Sequence, residues 1–206
     1  SKSHRFRYSN NGCGTHGHIR IPEAEQMADE LVAFIEQLNE TWDVWEERGE
    51  GQKIVLPNGK RLTYEMLERG LVHQGDITPY LHVLDQLAKG NPTTFAFIGG
   101  SITQGACATT EEGCYAFRVF DNFRRRFPQA PLTFINAGIG GTTSQYGVAR
   151  VAEDVMAYQP DLVFVEFSVN DDETAFYEET SEGLVRNLLN TGCVVVLIQN
   201  YFYHGG

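Results

Sequence analysis

The feature that most constrains this chain is a recurrence of short apolar runs from residue 94 onward. Thr94 to Ile98 (TFAFI), Leu132 to Ile135 (LTFI), Leu162 to Phe167 (LVFVEF) and Val194 to Ile198 (VVVLI) are β-branched or aromatic, without clean alternation. Such runs read as strands buried on both faces. Between them lie stretches with helical spacing. Ala116, Val119, Phe120, Phe123 and Phe127 form one apolar stripe, and Val148, Val151, Ala152 and Val155 form a second. Leu184, Val185, Leu188 and Leu189 form a third, with Gly192 as its C-cap. Strand–helix–strand repeated in this way predicts an α/β fold, a doubly wound parallel sheet with helices on both faces.

Residues 1–75 read differently and are expected to form an amino-terminal segment, with the α/β core over 76–206. Ala24, Met27, Ala28, Leu31, Phe34, Ile35 and Leu38 predict an amphipathic helix from Pro22 to Leu38. Thr41 to Asn58 is rich in Trp, Glu and Gly without a strong period and reads as an irregular linker. Trp42 and Trp45 within it are expected to pack that segment, with a sugar platform as the alternative. Thr78 as N-cap and Pro79 at N1 open a helix through Leu81, Leu84 and Ala88 that Gly90 ends.

Charge and cysteine usage narrow the function classes. Sixteen Lys and Arg against 27 Asp and Glu give a formal charge of −11, which disfavours nucleic-acid and anionic-membrane partners. The longest apolar run, Val194 to Ile198, is far too short to span a bilayer. No leader-like apolar stretch follows Ser1-Lys2-Ser3-His4-Arg5, so a cytoplasmic location is the expectation. No Cys-x-x-Cys occurs, which argues against a structural zinc. Cys193 reads as a buried thiol, while Cys107 and Cys114 flank a polar loop and could pair only in an oxidising compartment. Self-association into a homo-oligomer stays open.

Ligands of a doubly wound sheet bind outside the carboxyl ends of its strands, so the loops there carry the chemistry. After the first strand comes Gly99-Gly100-Ser101-Ile102-Thr103-Gln104-Gly105-Ala106. Gly100 and Gly105 have phosphate-loop spacing, but Ala106 stands where that loop needs lysine. After the second comes Asn136 to Thr143, an imperfect dinucleotide fingerprint with Thr143 at the third glycine. After the third comes Ser168-Val169-Asn170-Asp171-Asp172. Each loop alone would read as an ordinary strand-to-helix turn. Together, on one rim, they suit acyl transfer. Ser101 can stand clear of the sheet as a nucleophile. The Ser101 and Gly141 N–H groups and the Asn170 amide can converge on a tetrahedral oxyanion, each donor contributing roughly 3 kcal/mol in the transition state. Asp171 and Asp172 could bind a metal, but two adjacent carboxylates more often mark a helix N-terminus.

These blocks resemble the SGNH (GDSL-type) hydrolases. Gly99 to Thr103 resembles the first block, with Gly100 in place of the usual Asp. Asn136 to Thr143 resembles the second, which puts the oxyanion glycine at Gly141. Ser168 to Asp171 is similar to the third, with Asn170 as donor. The resemblance runs from about residue 75 to 200. It implies a three-layer α/β/α, flavodoxin-like hydrolase that cleaves small acyl esters, acetyl groups on carbohydrate above all, without metal or organic cofactor.

The family takes its general base from a later Asp-x-x-His block, which this sequence lacks. The residues three before His4, His16, His18, His73, His82 and His204 are Ser1, Cys13, Thr15, Gly70, Pro79 and Tyr201, none of them acidic. Without a base a serine hydroxyl is a weak nucleophile. Cys13-Gly14-Thr15-His16-Gly17-His18, followed by the helix from Pro22 to Leu38, resembles a degenerate last block displaced to the front. On that reading His16 or His18 reaches Ser101 and the helix packs against the sheet. His204 follows the fourth strand on the rim of Ser101, where terminal fraying is the expectation. The competing class is a truncated, non-catalytic chain that binds a ligand or partner without turnover.

Overall fold

The computed structural model describes residues 53–55, 61–63, 75–106, 108–172 and 174–199. His16, His18, His73, His204, Trp42, Trp45, Cys13, Cys107 and the expected helix from Pro22 to Leu38 lie outside the described residues. Within the amino-terminal segment, β1 (Lys53–Val55) pairs antiparallel with β2 (Arg61–Thr63). The linker reading missed this pair because three-residue strands are too short to show a period. The Asn58-Gly59 dipeptide between them is a hairpin signal that could have revealed it.

The core runs α1 (Thr78–Ala88), β3 (Thr93–Gly99), α2 (Ser101–Gln104), α3 (Tyr115–Arg126), β4 (Leu132–Gly138), α4 (Ser144–Asp154), β5 (Leu162–Glu166), α5 (Ala175–Leu189) and β6 (Val194–Leu197). Beta3 to β6 form one parallel sheet in the order β4-β3-β5-β6. The chain steps outward from β3 to β4, then crosses back to β5 on the other side of β3. Strand order therefore reverses between β3 and β5, and in sheets of this kind ligands bind outside the carboxyl ends of the strands at such a reversal.

Burial explains why these residues form these layers. Along β3, Phe95 and Phe97 enter one apolar cluster with Tyr80, Val83 and Leu87 of α1 and Tyr115, Val119 and Phe123 of α3. Ala96 and Ile98 enter the other, with Val151 of α4 and Leu184 and Leu188 of α5. Beta5 divides in the same way, Leu162 and Phe164 to one side and Val163 and Val165 to the other. Both strands are thus apolar on both faces, as a sheet with two helix layers requires. Phe97 and Phe164 are register partners and stack at 4.7 Å between centroids. Each such ring contributes about 1.5–3 kcal/mol by leaving water.

The caps differ from expectation at two points. The C-cap of α5 is Asn190 and not Gly192, which lies two residues further on at φ +85°. Ile77, not Thr78, is the N-cap of α1, and the Asp76 carboxylate accepts the Thr78 N–H at 2.9 Å. Proline still occupies the first turn, and Gly90 follows the helix at φ +78°. Cys193 is a buried free thiol, as expected; Cys114 is also free, its Sγ accepting the Phe117 N–H.

Candidate active site

The first loop is short because β3 runs almost directly into α2. Gly100 donates its N–H to the Glu166 carbonyl at 3.2 Å, which ties the turn to β5. Ser101 is the first residue of α2 and is buried apart from 9% of its surface. Gly105, at φ +99°, closes the helix. Thr103 is fully buried and its hydroxyl pairs with the Tyr115 hydroxyl at 2.9 Å. Two glycines let this helix sit on the strand ends. A Cβ at Gly99 would lie 2.1 Å from Thr103 Oγ1 and 2.3 Å from the Glu166 carbonyl oxygen, and one at Gly138 would lie 2.2 Å from the Gln104 nitrogen. Neither position can carry a side chain.

The second loop wraps this helix. Asn136 donates from Nδ2 to the Thr103 carbonyl and accepts the Gly138 N–H at Oδ1, both at 2.9 Å. Ile139 donates its N–H to the Gly99 carbonyl, and Gly140 donates to Gln104 Oε1 at 2.9 Å. A Cβ on Gly140 would stand 3.7 Å from Ser101 Cβ, so the Gly140–Gly141 turn lies beside the serine. Of its two N–H groups, that of Gly140 is taken, whereas that of Gly141 has no acceptor among the described residues. Gly141 adopts φ +74°, and a Cβ there would meet nothing within 4 Å. Glycine is favoured here by backbone conformation and not by protein crowding.

The third loop completes the rim. Asn170 and Asp171 both donate their backbone N–H to the Phe167 carbonyl. Asn170 Nδ2 donates to the Thr142 carbonyl at 2.6 Å, which joins the third loop to the second. Asp171 caps a helix, as two adjacent carboxylates suggested, but the helix is α4 and not the one that follows it. Its Oδ1 accepts the Ser144 N–H at 2.9 Å, and Oδ2 accepts the Ser181 hydroxyl at 3.4 Å. Burial pushes the Asp171 carboxyl above the usual carboxylate range, against the lowering effect of the Ser144 and Ser181 hydrogen bonds.

Two buried charges lie beneath the rim. Glu166, at the end of β5, accepts the Ser168 hydroxyl at 2.9 Å. Arg150 of α4 pairs with Asp154 at 2.8 Å and reaches the Gly99 carbonyl at 3.4 Å. Among the described residues no group of three or more His, Cys, Asp and Glu could hold a metal ion.

Ser101, Gly141 and Asn170 thus lie on adjoining loops at the carboxyl ends of β3, β4 and β5, linked through Gly100, Gly140 and Thr142. His16 and His18, the candidate bases, lie outside the described residues. His82, the one histidine among the described residues, does not belong to this rim. It lines a cavity of about 870 Å³ with Pro160, Asp161 and Cys193, at the amino ends of β5 and β6. Sequence reading missed Gln104, Asn136 and Thr142 as supports of the site. Asn136 sits inside the second block and Gln104 directly follows the first, but the groups they hold across the site, the Thr103 carbonyl and the Gly140 N–H, are 33 and 36 residues away along the chain.

Comparisons with known proteins agree with this architecture. A two-domain esterase active on acetylated mannans superposes with TM-score 0.63 at 47% identity, covering 65% of this chain and 36% of that one. The same esterase co-crystallised with mannopentaose gives the same TM-score and identity. This chain therefore spans about a third of that esterase's length. A catalytic mutant of an acetylxylan esterase from Geobacillus stearothermophilus is 25% identical with TM-score 0.42, over 51% of this chain and 58% of that one. No curated protein sequence matches the chain. The model of the GDSL-like Lipase/Acylhydrolase family matches residues 97–204, from the middle of β3 to beyond β6 and through all three rim loops. With more than half of its length under that match, this chain belongs to the GDSL-like lipase/acylhydrolase family.

Proposed function

We propose that this chain is a serine esterase that removes small acyl groups, acetyl above all, from carbohydrate. Ser101 is its nucleophile; the Ser101 and Gly141 N–H groups and the Asn170 amide form its oxyanion hole. The observation that carries this reading is the meeting of three loops at the strand-order reversal. Ser101 opens a helix there, the Gly140–Gly141 turn lies beside its Cβ, and the Asn170 amide lies against Gly100. The esterase active on acetylated mannans supports the carbohydrate side of the proposal.

In the first half-reaction Ser101 Oγ attacks the ester carbonyl carbon and its proton passes to an imidazole, for which His16 and His18 are the candidates. The three donors hold the oxyanion of the tetrahedral intermediate. Its collapse expels the sugar alcohol, which takes the proton back from the imidazole. Water then attacks the acyl-serine by the same route, releasing the carboxylic acid and restoring Ser101. The test is hydrolysis of p-nitrophenyl acetate and of acetylated manno-oligosaccharides by the wild-type chain and by Ser101→Ala. Turnover of both that is lost in the variant is expected. Full activity in Ser101→Ala would overturn the assignment, and no turnover by the wild-type chain would favour binding without catalysis.

A further inference from the structure

We propose that Arg150 is a positioning residue that clamps the segment carrying Gly141 onto the strand end from which Ser101 emerges. The proposal rests on the reading of Ser101 and Gly141 given above and extends it to a side chain that takes no chemical part. One oxygen is the point of attachment. The Gly99 carbonyl, two residues before Ser101, accepts the Ile139 N–H at 3.0 Å and Arg150 Nη2 at 3.4 Å. Ile139 lies two residues before Gly141 and Arg150 nine after it. The segment is therefore held on both sides of its glycine by the same atom. Beyond Gly141, Thr142 is bonded to Asn170 and Ser144 to Asp171, both on the third loop. Arg150 instead returns to the strand that leads to Ser101.

Arg186 of α5 shows how an arginine pairs at helical spacing when only the helix benefits. It is exposed beside Glu182, and its Nε and Nη2 both bond to one carboxylate oxygen. Arg150 also has a carboxylate four residues away, Asp154, which it meets through Nη1 at 2.8 Å. Its order, arginine before carboxylate with Asp154 at the carboxyl end of α4, is the less favourable one for a helix. The Arg150 side chain is only 8% exposed, and its Nε has no acceptor among the described residues. A guanidinium shut away from water with an N–H unmet costs free energy. The ion pair does not require that burial, because Asp154 is itself 39% exposed. What the buried pose adds is the reach of Nη2 to Gly99, with the Tyr146 ring over the guanidinium at 5.7 Å.

That reach has a chemical consequence. The Gly99–Gly100 peptide is fixed at its other edge as well, since Gly100 donates its N–H to the Glu166 carbonyl at 3.2 Å. With both edges held, Ser101 and the Gly141 N–H share one fixed frame. An oxyanion donor acts by being in place before the reaction. Misplacement by about 1 Å, caused by a change away from the chemistry, can cost about 10²-fold in rate. Lysine separates the two duties of Arg150. Its ammonium is a single point charge where arginine has a fork, so it stays with the Asp154 carboxylate and releases the Gly99 carbonyl.

The experiment compares Arg150→Lys, Arg150→Met and Asp154→Ala with wild type. The readouts are kcat and KM on p-nitrophenyl acetate, Tm, and amide hydrogen exchange over residues 139–147. Both Arg150 variants are expected to lower kcat by about 10–10²-fold with KM within about twofold. Exchange over the segment should speed up by about tenfold in both, because its tie to the strand is gone. Asp154→Ala breaks the ion pair and keeps the tie, so it should lower Tm while kcat and exchange stay within about twofold of wild type. Wild-type kcat in both Arg150 variants, or a loss of kcat in Asp154→Ala as large as in Arg150→Lys, would overturn the proposal. So would failure of both Arg150 variants to fold, which would make the residue a support of the fold alone. Failure of the underlying reading shows separately, as full activity in Ser101→Ala. Exchange over 139–147 still decides the clamp in that case, and wild-type exchange in Arg150→Lys would sink it.

Discussion

Asp171 is the clearest point at which the rim can be loosened without touching Ser101. It is half-buried, and its Oδ1 accepts the Ser144 N–H at 2.9 Å, which satisfies an amide at the start of α4. Its Oδ2 takes the Ser181 hydroxyl of α5 at a longer 3.4 Å. Asp171→Ala removes the cap, a loss of about 1 kcal/mol that rises to about 2 when the amide is shielded from water. For a domain of this size that is a fall in Tm of about 2–8 °C. Asp171→Asn keeps an oxygen for Ser144 while removing the charge that burial disfavours, so at neutral pH it should lie within about 0.5 kcal/mol of wild type, as a substitution that breaks none of the contacts should.

The pH dependence separates the two contributions. Burial raises the folded-state pKa of Asp171 above 3.8, so between 3.8 and the raised value the folded protein holds this proton more tightly than the unfolded chain. Stability from this group therefore falls as pH rises through that window and is constant above it. Relative to Asp171→Asn, the wild type should gain stability as pH drops from neutral towards 4. Urea denaturation of the three proteins between pH 4 and 8 measures this. If Asp171→Asn is as unstable as Asp171→Ala, or if wild type loses ground to it on acidification, the account of the cap and its burial is wrong.

Two further predictions concern the same rim. Asn170→Ala should lower kcat by about 10²–10³-fold with KM little changed, because the donor acts mainly in the transition state; steady-state kinetics on p-nitrophenyl acetate reads both parameters, and an unchanged kcat would reduce Asn170 to a loop residue. Thr103→Val should destabilise by about 1–3 kcal/mol, because it strands the fully buried Tyr115 hydroxyl. Adding Tyr115→Phe should recover part of that loss in urea denaturation.

The layers could be read from the chain because they rest on local patterns. Phe95 to Ile98 and Leu162 to Val165 are apolar on both faces, and the stripes of α3, α4 and α5 follow helical spacing. Strand ends were harder. The sequence reading stops the second strand at Ile135, but β4 continues through Asn136, Ala137 and Gly138. Those residues have little β propensity; they are held extended by pairing in register with Phe97, Ile98 and Gly99. The same limit applies to the site. Ser101, Gly141 and Asn170 stand out because their loops follow strands, whereas the links among them are long-range. Gln104 holds Gly140 from 36 residues away, Asp171 holds Ser144 from 27, and Asn170 holds Thr142 from 28. Spacing along the chain carries no sign of such contacts.

The central claim is that Ser101 is the nucleophile. Only a serine that is already activated attacks the phosphorus of a fluorophosphonate, expelling fluoride and keeping a covalent adduct, so the reagent reports the residue directly. The measurement is mass spectrometry of the proteolysed chain after such labelling, with acetylated manno-oligosaccharide as competitor. The account predicts one adduct, on the peptide carrying Ser101, that the competitor suppresses and Ser101→Ala abolishes. An adduct on another residue, or none in a preparation that hydrolyses acetyl esters, would contradict it.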